Sequence, residues 1–322
     1  MQTSVIGLDC SGQKADVDLV CRELNALGHQ ANPLFGQPLT LGMRVVARLG
    51  AQRLFSCTTG LNVFIQQPEH YWIPLAKRNV VIPNQDWMTP YGASLLSRMD
   101  AIWCKTRYAT DIFSRRGLTC RYIGFSSPVA GSDPEPLGRD WYSCLHVAGS
   151  SLAKGTQGLV DLWAQHPEWP QLTVLARHPS LRPPTQVANI VWLKDHVHRE
   201  ELRILRMRCG IAIQPSETEG FGHVISEALA ACQVVLTCDA PPMNELLSPL
   251  EGFLVKASAY SNQHLSELFR FDRAEMERTL NHIFATPRAT LAGLGRAAST
   301  RFARGQQQFR SNLEAAILAL PI

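Results

Sequence analysis

The stretch IAIQPSETEGFGHVISEALA, residues 211–230, carries three signals in succession. IAIQ is an apolar run of strand length, PSETEGFG is rich in turn residues, and HVISEALA returns to helical spacing. Strand, glycine-bearing loop and helix form the unit of a parallel α/β sheet, in which neighbouring strands need a long crossover. Gly220 and Gly222 let the backbone approach a ligand closely. The helix that follows offers unpaired N–H groups and partial positive charge, which favour a phosphate. Glu219 precedes the glycines, and Glu227 lies about one and a half turns into the helix. An ionised carboxylate only accepts hydrogen bonds, which suits it to the two adjacent hydroxyls of a ribose. The spacing fits a nucleotide carrying a diphosphate.

The same alternation extends outward in both directions. SVIGLDC (4–10), LNVFIQQ, RNVVIPN and DAIWCKT read as strands, and ADVDLVCRELNALGH (15–29) reads as a helix stopped by Gly28. TRYATDIFSRRG has helical spacing and its own glycine stop. SSPVAGSDPEPLG (126–138) has no apolar period and is rich in Ser, Pro, Gly and Asp, which places an interdomain linker at 128–140. The pattern then restarts through SCLHVAG, TQGLVDLWAQHPE, QLTVLAR, NIVWLKD, HREELRILRMRCG and the opening stretch, followed by VVLTCD, MNELLSP and a final short strand, GFLVKAS. Residues 261–320 read as largely helical. The fold class is α/β, with two Rossmann-like doubly wound domains facing a central cleft (1–127 and 141–300) and a helix at 301–322 that packs back on the first domain. In open parallel sheets, ligands bind beyond the carboxyl ends of the strands.

EGFGHVISEALA resembles the E-x7-E segment of retaining GT-B-fold glycosyltransferases of family four. HVAGSSLAKGTQGLVDLW is similar to that family's strand, phosphate loop and KG-containing helix start, and CDAPPMNELL with EGFLV to its later loop and strand. The likeness covers most of residues 144–256; the first domain matches loosely, in segments such as LNVFIQQPEHYW and RNVVIPNQDW. It implies Glu219 at the transferred sugar and Glu227 at the ribose. It also implies Gly220 and the backbone amides of Phe221, Gly222, His223 and Val224, with Ser151, around the sugar and distal phosphate. Lys154 would neutralise the diphosphate as it leaves. Gly12, in the CSGQ loop, corresponds to the glycine-rich loop of the other domain.

Two features depart from that pattern. Ser150 and Ser151 stand where a basic residue is usual, with Arg177 as a substitute, and the IPNQDW loop offers Asn84 and Asp86 where a histidine is common. Asp86 is therefore the acceptor-domain catalytic candidate, with His70 and Asn84 beside it. Asp16-Val-Asp18 is a formal DxD, but acids opening a helix offset its dipole. His196 and His198 have no third ligand at suitable spacing, so no metal site is expected.

Composition bounds the rest. A chain of 322 residues favours two domains, and 45% apolar with 18% charged residues describes an ordinary globular protein. Residues 1–10 lack the basic start of a secretory signal, and no run approaches ~18 apolar residues, so a cytoplasmic protein is expected, with a peripheral membrane position as the alternative. Nine cysteines without a CxxC pair read as reduced thiols. Residues 1–130 hold 13 Lys+Arg against 8 Asp+Glu, while the rest holds 18 against 19. Basic residues gather at Arg44, Arg48 and Arg53, at Lys77 and Arg78, and from Lys105 through Arg107, Arg115 and Arg116 to Arg121. An anionic acceptor follows: a glycan, a phosphate-bearing lipid, or a nucleic acid with a modified base. The resemblance implies a metal-independent, retaining transfer from a UDP- or GDP-linked sugar, with no cofactor beyond that donor substrate. A GT-B-like epimerase, a phosphorylase and a sugar-nucleotide binding module are the rival readings.

Overall fold

The computed structural model describes residues 1–8, 11–35, 59–129, 138–185 and 187–320. Arg44, Arg48, Arg53, Cys10, Cys57 and most of the expected linker (130–137) lie outside the described residues. The chain divides into two compact units. Unit 1 comprises Met1–Pro128, Gln263–Ser266 and Gln306–Ile322; unit 2 comprises Val129–Asn262 and Glu267–Gly305.

Unit 1 is built on a six-stranded sheet. Its strands are β1 (Gln2–Gly7), β2 (Gln30–Phe35), β3 (Thr59–Gln66), β4 (Ala76–Pro83), β5 (Ala101–Cys104) and β6 (Cys120–Tyr122), in the spatial order β2-β1-β3-β4-β5-β6. Every neighbouring pair is parallel. The helices are α1 (Ser11–Ala26), the short α2 (Pro90–Ser94) and α3 (Arg107–Ser114). α3 starts where the Thr106 side chain accepts from the Ala109 amide. Strand order reverses between β1 and β3, the crevice where open α/β sheets bind ligands. Gln13 bridges that point: its Oε1 accepts from the Leu8 amide at 2.7 Å, and its Nε2 donates to Gln66 Oε1 at 2.6 Å.

Unit 2 carries a seven-stranded sheet in the order β13-β12-β11-β10-β7-β8-β9. The strands are β7 (Asp140–Gly149), β8 (Leu172–Ala176), β9 (Ile190–Leu193), β10 (Cys209–Gln214), β11 (Val234–Asp239), β12 (Gly252–Gln263) and β13 (Ser266–Phe271). From β7 to β12 all pairings are parallel. The helices are α4 (Thr156–Trp163), α5 (Arg199–Arg208), α6 (His223–Ala230), the one-turn α7 (Met243–Leu246), α8 (Arg273–Ala285) and α9 (Arg288–Leu318), whose last residues belong to unit 1. Met276, Leu280 and Ile283 recur at helical spacing on α8 and are fully buried against the sheet. Trp163 and Trp169 meet edge to face at 4.9 Å in the same core. Both indole N–H groups are satisfied, by the Pro170 carbonyl and by Asn281 Oδ1.

Four expectations change. GFLVKAS extends into a twelve-residue strand, and SELFRF, expected within a helical tail, is β13. Two residues join these strands, so they form an antiparallel hairpin. Asp16 does not open a helix: α1 begins at Ser11 and Asp16 lies in its second turn. Gly12 therefore belongs to the first turn of α1 rather than to a loop.

Candidate functional site

In unit 2 the strand order reverses between β7 and β10, so the loops leaving those two adjacent strands share one crevice. The loop after β7 is Ser150–Gly155, and the loop after β10 is Pro215–Gly222. They are bonded backbone to backbone, the Glu217 amide donating to the Ala153 carbonyl at 3.0 Å. Gly155 allows the approach: it has φ +65°, and a Cβ there would lie 2.3 Å from the Pro215 carbonyl oxygen. That contact sets Lys154 over the second loop.

Lys154 Nζ donates to Glu219 Oε1 at 2.5 Å, and the Ser216 hydroxyl donates to the same oxygen at 2.6 Å. Glu219 is 7% exposed, so the ion pair sits at a protein–solvent boundary where a charge interaction is stronger than in water. Beneath the lysine loop, His146 is fully buried, with Nδ1 facing the Ile213 carbonyl at 2.7 Å and Nε2 facing the Thr156 hydroxyl at 2.9 Å. A proton on Nδ1 satisfies the carbonyl and leaves Nε2 to accept from the hydroxyl. Burial depresses the His146 pKa to about 4, opposed by the Ile213 hydrogen bond and reinforced by the Lys154 charge. A neutral imidazole thus supports the start of α4.

Gly222 caps α6 with φ +106°, and a Cβ there would lie 2.7 Å from Leu246 Cδ1. With Gly220 and the buried Phe221 it delivers His223 and Val224 to the first turn of α6, at the carboxyl end of β10. The Phe221 and His223 rings meet edge to face at 5.3 Å. Ser151 Oγ accepts from the Ala153 amide, shaping the lysine loop. One turn along α6, Glu227 Oε2 receives Arg206 Nη2 of α5. Lys154, Ser151, Gly220–Val224 and Glu219 are therefore grouped around one crevice, with Glu227 farther along the helix that opens there.

Neither His146 nor Arg206 stands out in the sequence reading. A histidine inside SCLHVAG is the only local signal for the first, and an ordinary basic helix end hides the second. Arg177, the substitute for the missing cation, is exposed and has Nη1 3.2 Å from His196 Nδ1. A cavity of about 740 Å³ lies at the end of β9, lined by Trp192, Lys194, Asp195, His196, Glu201 and Ile204 among others.

The unit 1 candidates occupy loops at the carboxyl ends of its strands. Asp86 is buried in a short 3-10 turn after β4, and its carbonyl accepts from Gln263 Nε2. Asn84 Oδ1 accepts from Lys105 Nζ at 2.9 Å. His70 is exposed, with Nδ1 3.0 Å from Arg98 Nη1. Lys105 is not a surface cation: it is 2% exposed and donates to Asp16 Oδ2 at 2.5 Å, over the Phe125 ring. Of the clustered bases among the described residues, Lys77, Arg107, Arg115, Arg116 and Arg121 are exposed, whereas Arg78 is half-buried. The seven described cysteines are free thiols.

Residues 186–271 match the protein family described as Glycosyl transferases group 1. The match contains the Pro215–Gly222 loop, α6 and Arg206. The match spans 86 of the 322 residues. Solved structures of similar fold include sucrose-phosphate synthase from Thermosynechococcus elongatus, at 14% identity and TM-score 0.71, with 99% of each chain covered. An α,α-trehalose-phosphate synthase (UDP-forming) from Burkholderia vietnamiensis aligns at 13% identity and TM-score 0.64, again over 99% of each chain. A trehalose-6-phosphate protein from E. coli, bound with UDP-2-fluoro glucose, aligns at 13% identity and TM-score 0.60, covering 99% of this chain and 98% of that one. No curated protein matches the sequence. The fold is GT-B, as in these neighbours, and the family match over residues 186–271 supports a glycosyltransferase. Among the described residues, no helix is long and apolar enough to cross a membrane.

Proposed function

We propose that this glycosyltransferase moves a sugar from a UDP- or GDP-linked donor to an acceptor hydroxyl, with retention at the anomeric carbon. The observation that carries the reading is the pairing of Lys154 with Glu219 at the switch point between β7 and β10. The donor diphosphate lies at the first amides of α6 and draws on Lys154, whose positive charge stabilises the leaving nucleoside diphosphate. Lys154, rather than a metal, supplies that charge. Glu219, released in part from Lys154 by the incoming phosphates, accepts hydroxyls of the transferred sugar, and Glu227 accepts from the ribose. The sugar is delivered to the face the leaving group departs from.

The acceptor is a hydroxyl on a phosphate-bearing sugar or lipid, or on a glycan. Two neighbours are described as sucrose-phosphate and trehalose-phosphate synthases, one of them UDP-forming, which favours a phosphorylated acceptor and a uridine donor. Exposed bases of unit 1 suit such a phosphate. On the acceptor side, Asp86 is the proposed base, with Asn84 and His70 in the adjoining loops. A thermal-shift screen of nucleotide sugars, followed by nucleoside-diphosphate release with sugar-phosphate and lipid acceptors, tests the reading. A rise in melting temperature with one donor and acceptor-dependent release are expected; no shift with any nucleotide sugar would overturn it.

A further inference from the structure

Arg206 occupies the last turn of α5 and binds Glu227, the carboxylate proposed for the ribose. A cation in the last turn of a helix is ordinary dipole compensation, usually on a mobile, solvated side chain. Arg206 differs on two counts. Its side chain is 14% exposed, and its guanidinium ends on a carboxylate of another helix.

The backbone around the pair is also fixed from below. Arg139 is 4% exposed and lies under the ends of both helices. Its guanidinium donates to the carbonyls of Arg206 and Met207 at the end of α5, and to those of Ala231 and Cys232 just past α6. One buried fork thereby satisfies carbonyls in the last turn of α5 and just past the end of α6 at once. It holds α5 and α6 in a constant relation, so the Arg206–Glu227 contact is set by the fold rather than by chance meeting of two surface chains.

We infer that Arg206 is a positioning residue for the nucleotide ribose, holding Glu227 in the one orientation that accepts a 2′-hydroxyl. The inference rests on the proposed ribose role of Glu227. A carboxylate has two oxygens with about four acceptor directions. Arg206 takes Oε2, which fixes the carboxylate plane and leaves Oε1 for the sugar. Without the guanidinium, Glu227 is a side chain on three rotatable bonds, and its ordering would have to be supplied by each incoming nucleotide. The pair therefore selects ribonucleotides over their 2′-deoxy counterparts.

The test measures affinity of the full chain for UDP, 2′-deoxy-UDP, GDP and 2′-deoxy-GDP by calorimetry. The wild type is expected to prefer the ribo form of its nucleotide about tenfold, the loss typical when a polar site loses its hydroxyl partner. Arg206→Gln should weaken the ribo form several-fold, leave the deoxy form nearly unchanged and bring the ratio close to one. Arg206→Lys should restore part of the preference. A purely structural role would instead lower the melting temperature while the ratio stayed wild-type, which overturns the proposal. Glu227→Ala separates the two readings. A collapsed ratio in Glu227→Ala with an intact ratio in Arg206→Gln sinks only the Arg206 role. An intact ratio in Glu227→Ala, or no ribose preference in the wild type, sinks the ribose assignment and this inference with it. Should Arg206→Gln fold poorly, Arg206→Lys decides alone: a ratio unchanged from wild type at reduced melting temperature counts against positioning.

Discussion

Gly155 lies directly against the backbone of Pro215, so closely that a Cβ would come within 2.3 Å of the Pro215 carbonyl oxygen. The two residues lead from adjacent strands at the switch point, and their contact brings Lys154 onto Glu219. Gly155→Ala meets two penalties: a left-handed φ of +65° and overlap with a backbone atom that cannot swing aside. Together they should cost about 2–4 kcal/mol. Urea denaturation should show the midpoint falling with little change in slope, and donor turnover should fall further than stability because the loop carries Lys154.

Lys154→Ala should leave the fold largely intact, since Ser216 still donates to Glu219. Its loss should appear mainly in turnover, by about 10²–10³-fold, if the ammonium acts on charge that develops as the diphosphate leaves. Donor affinity should change by less than about tenfold. Equal losses in turnover and in affinity would mean that Lys154 binds ground state and transition state alike, and the leaving-group role would be abandoned.

The α/β alternation and the donor-side site are legible in the sequence because their signals are local. IAIQ, the GFG turn and HVISEALA lie next to one another, and each keeps the conformation its own pattern dictates. β2 and β6 are not legible: QANPLF contains Pro33, which an edge strand tolerates and a central one does not, and CRY is too short to show a period. β13 hides for a different reason. Its burial repeats every third residue instead of alternating, and strand rather than helix is decided by the pairing with β12. Long-range partners are invisible in principle. Lys105 reads as one more surface base because Asp16, which buries it, lies 89 residues away. Arg206 and Glu227 lie 21 apart on separate helices, a spacing with no meaning until both helices are packed.

The Lys105–Asp16 pair gives a stability prediction for unit 1. Both side chains are almost completely buried, at 1% and 4% exposure. Lys105→Met leaves the Asp16 carboxylate without its cation and Asn84 without its donor, at a cost of about 3–5 kcal/mol. Adding Asp16→Leu removes the stranded charge, so the double variant should recover most of that loss. Denaturant unfolding of the wild type, both single variants and the double variant measures the coupling. If the double variant proves as unstable as Lys105→Met, the damage comes from Asn84 and lost packing rather than from an unpaired charge.

His146 makes stability depend on pH in a definite direction. Its pKa in the folded protein is about 4 against an ordinary value of 6.5, chiefly because burial opposes the charged ring. Above about pH 6.5 the imidazole is neutral in both folded and unfolded chains, and it contributes no pH dependence. Below that, the unfolded chain binds a proton that the folded site refuses, so stability falls as pH drops and levels off near pH 4. From pH 7 to pH 5 this amounts to about 2 kcal/mol. Other groups titrate over the same range, so the comparison is with His146→Gln, which cannot titrate and should be less stable at pH 7 but flatter below it. Unfolding free energies of both proteins at pH 7, 6 and 5 check the difference in slope. Parallel curves would mean that His146 takes up its proton in the folded protein, and that the Ile213 and Thr156 contacts do not hold it neutral.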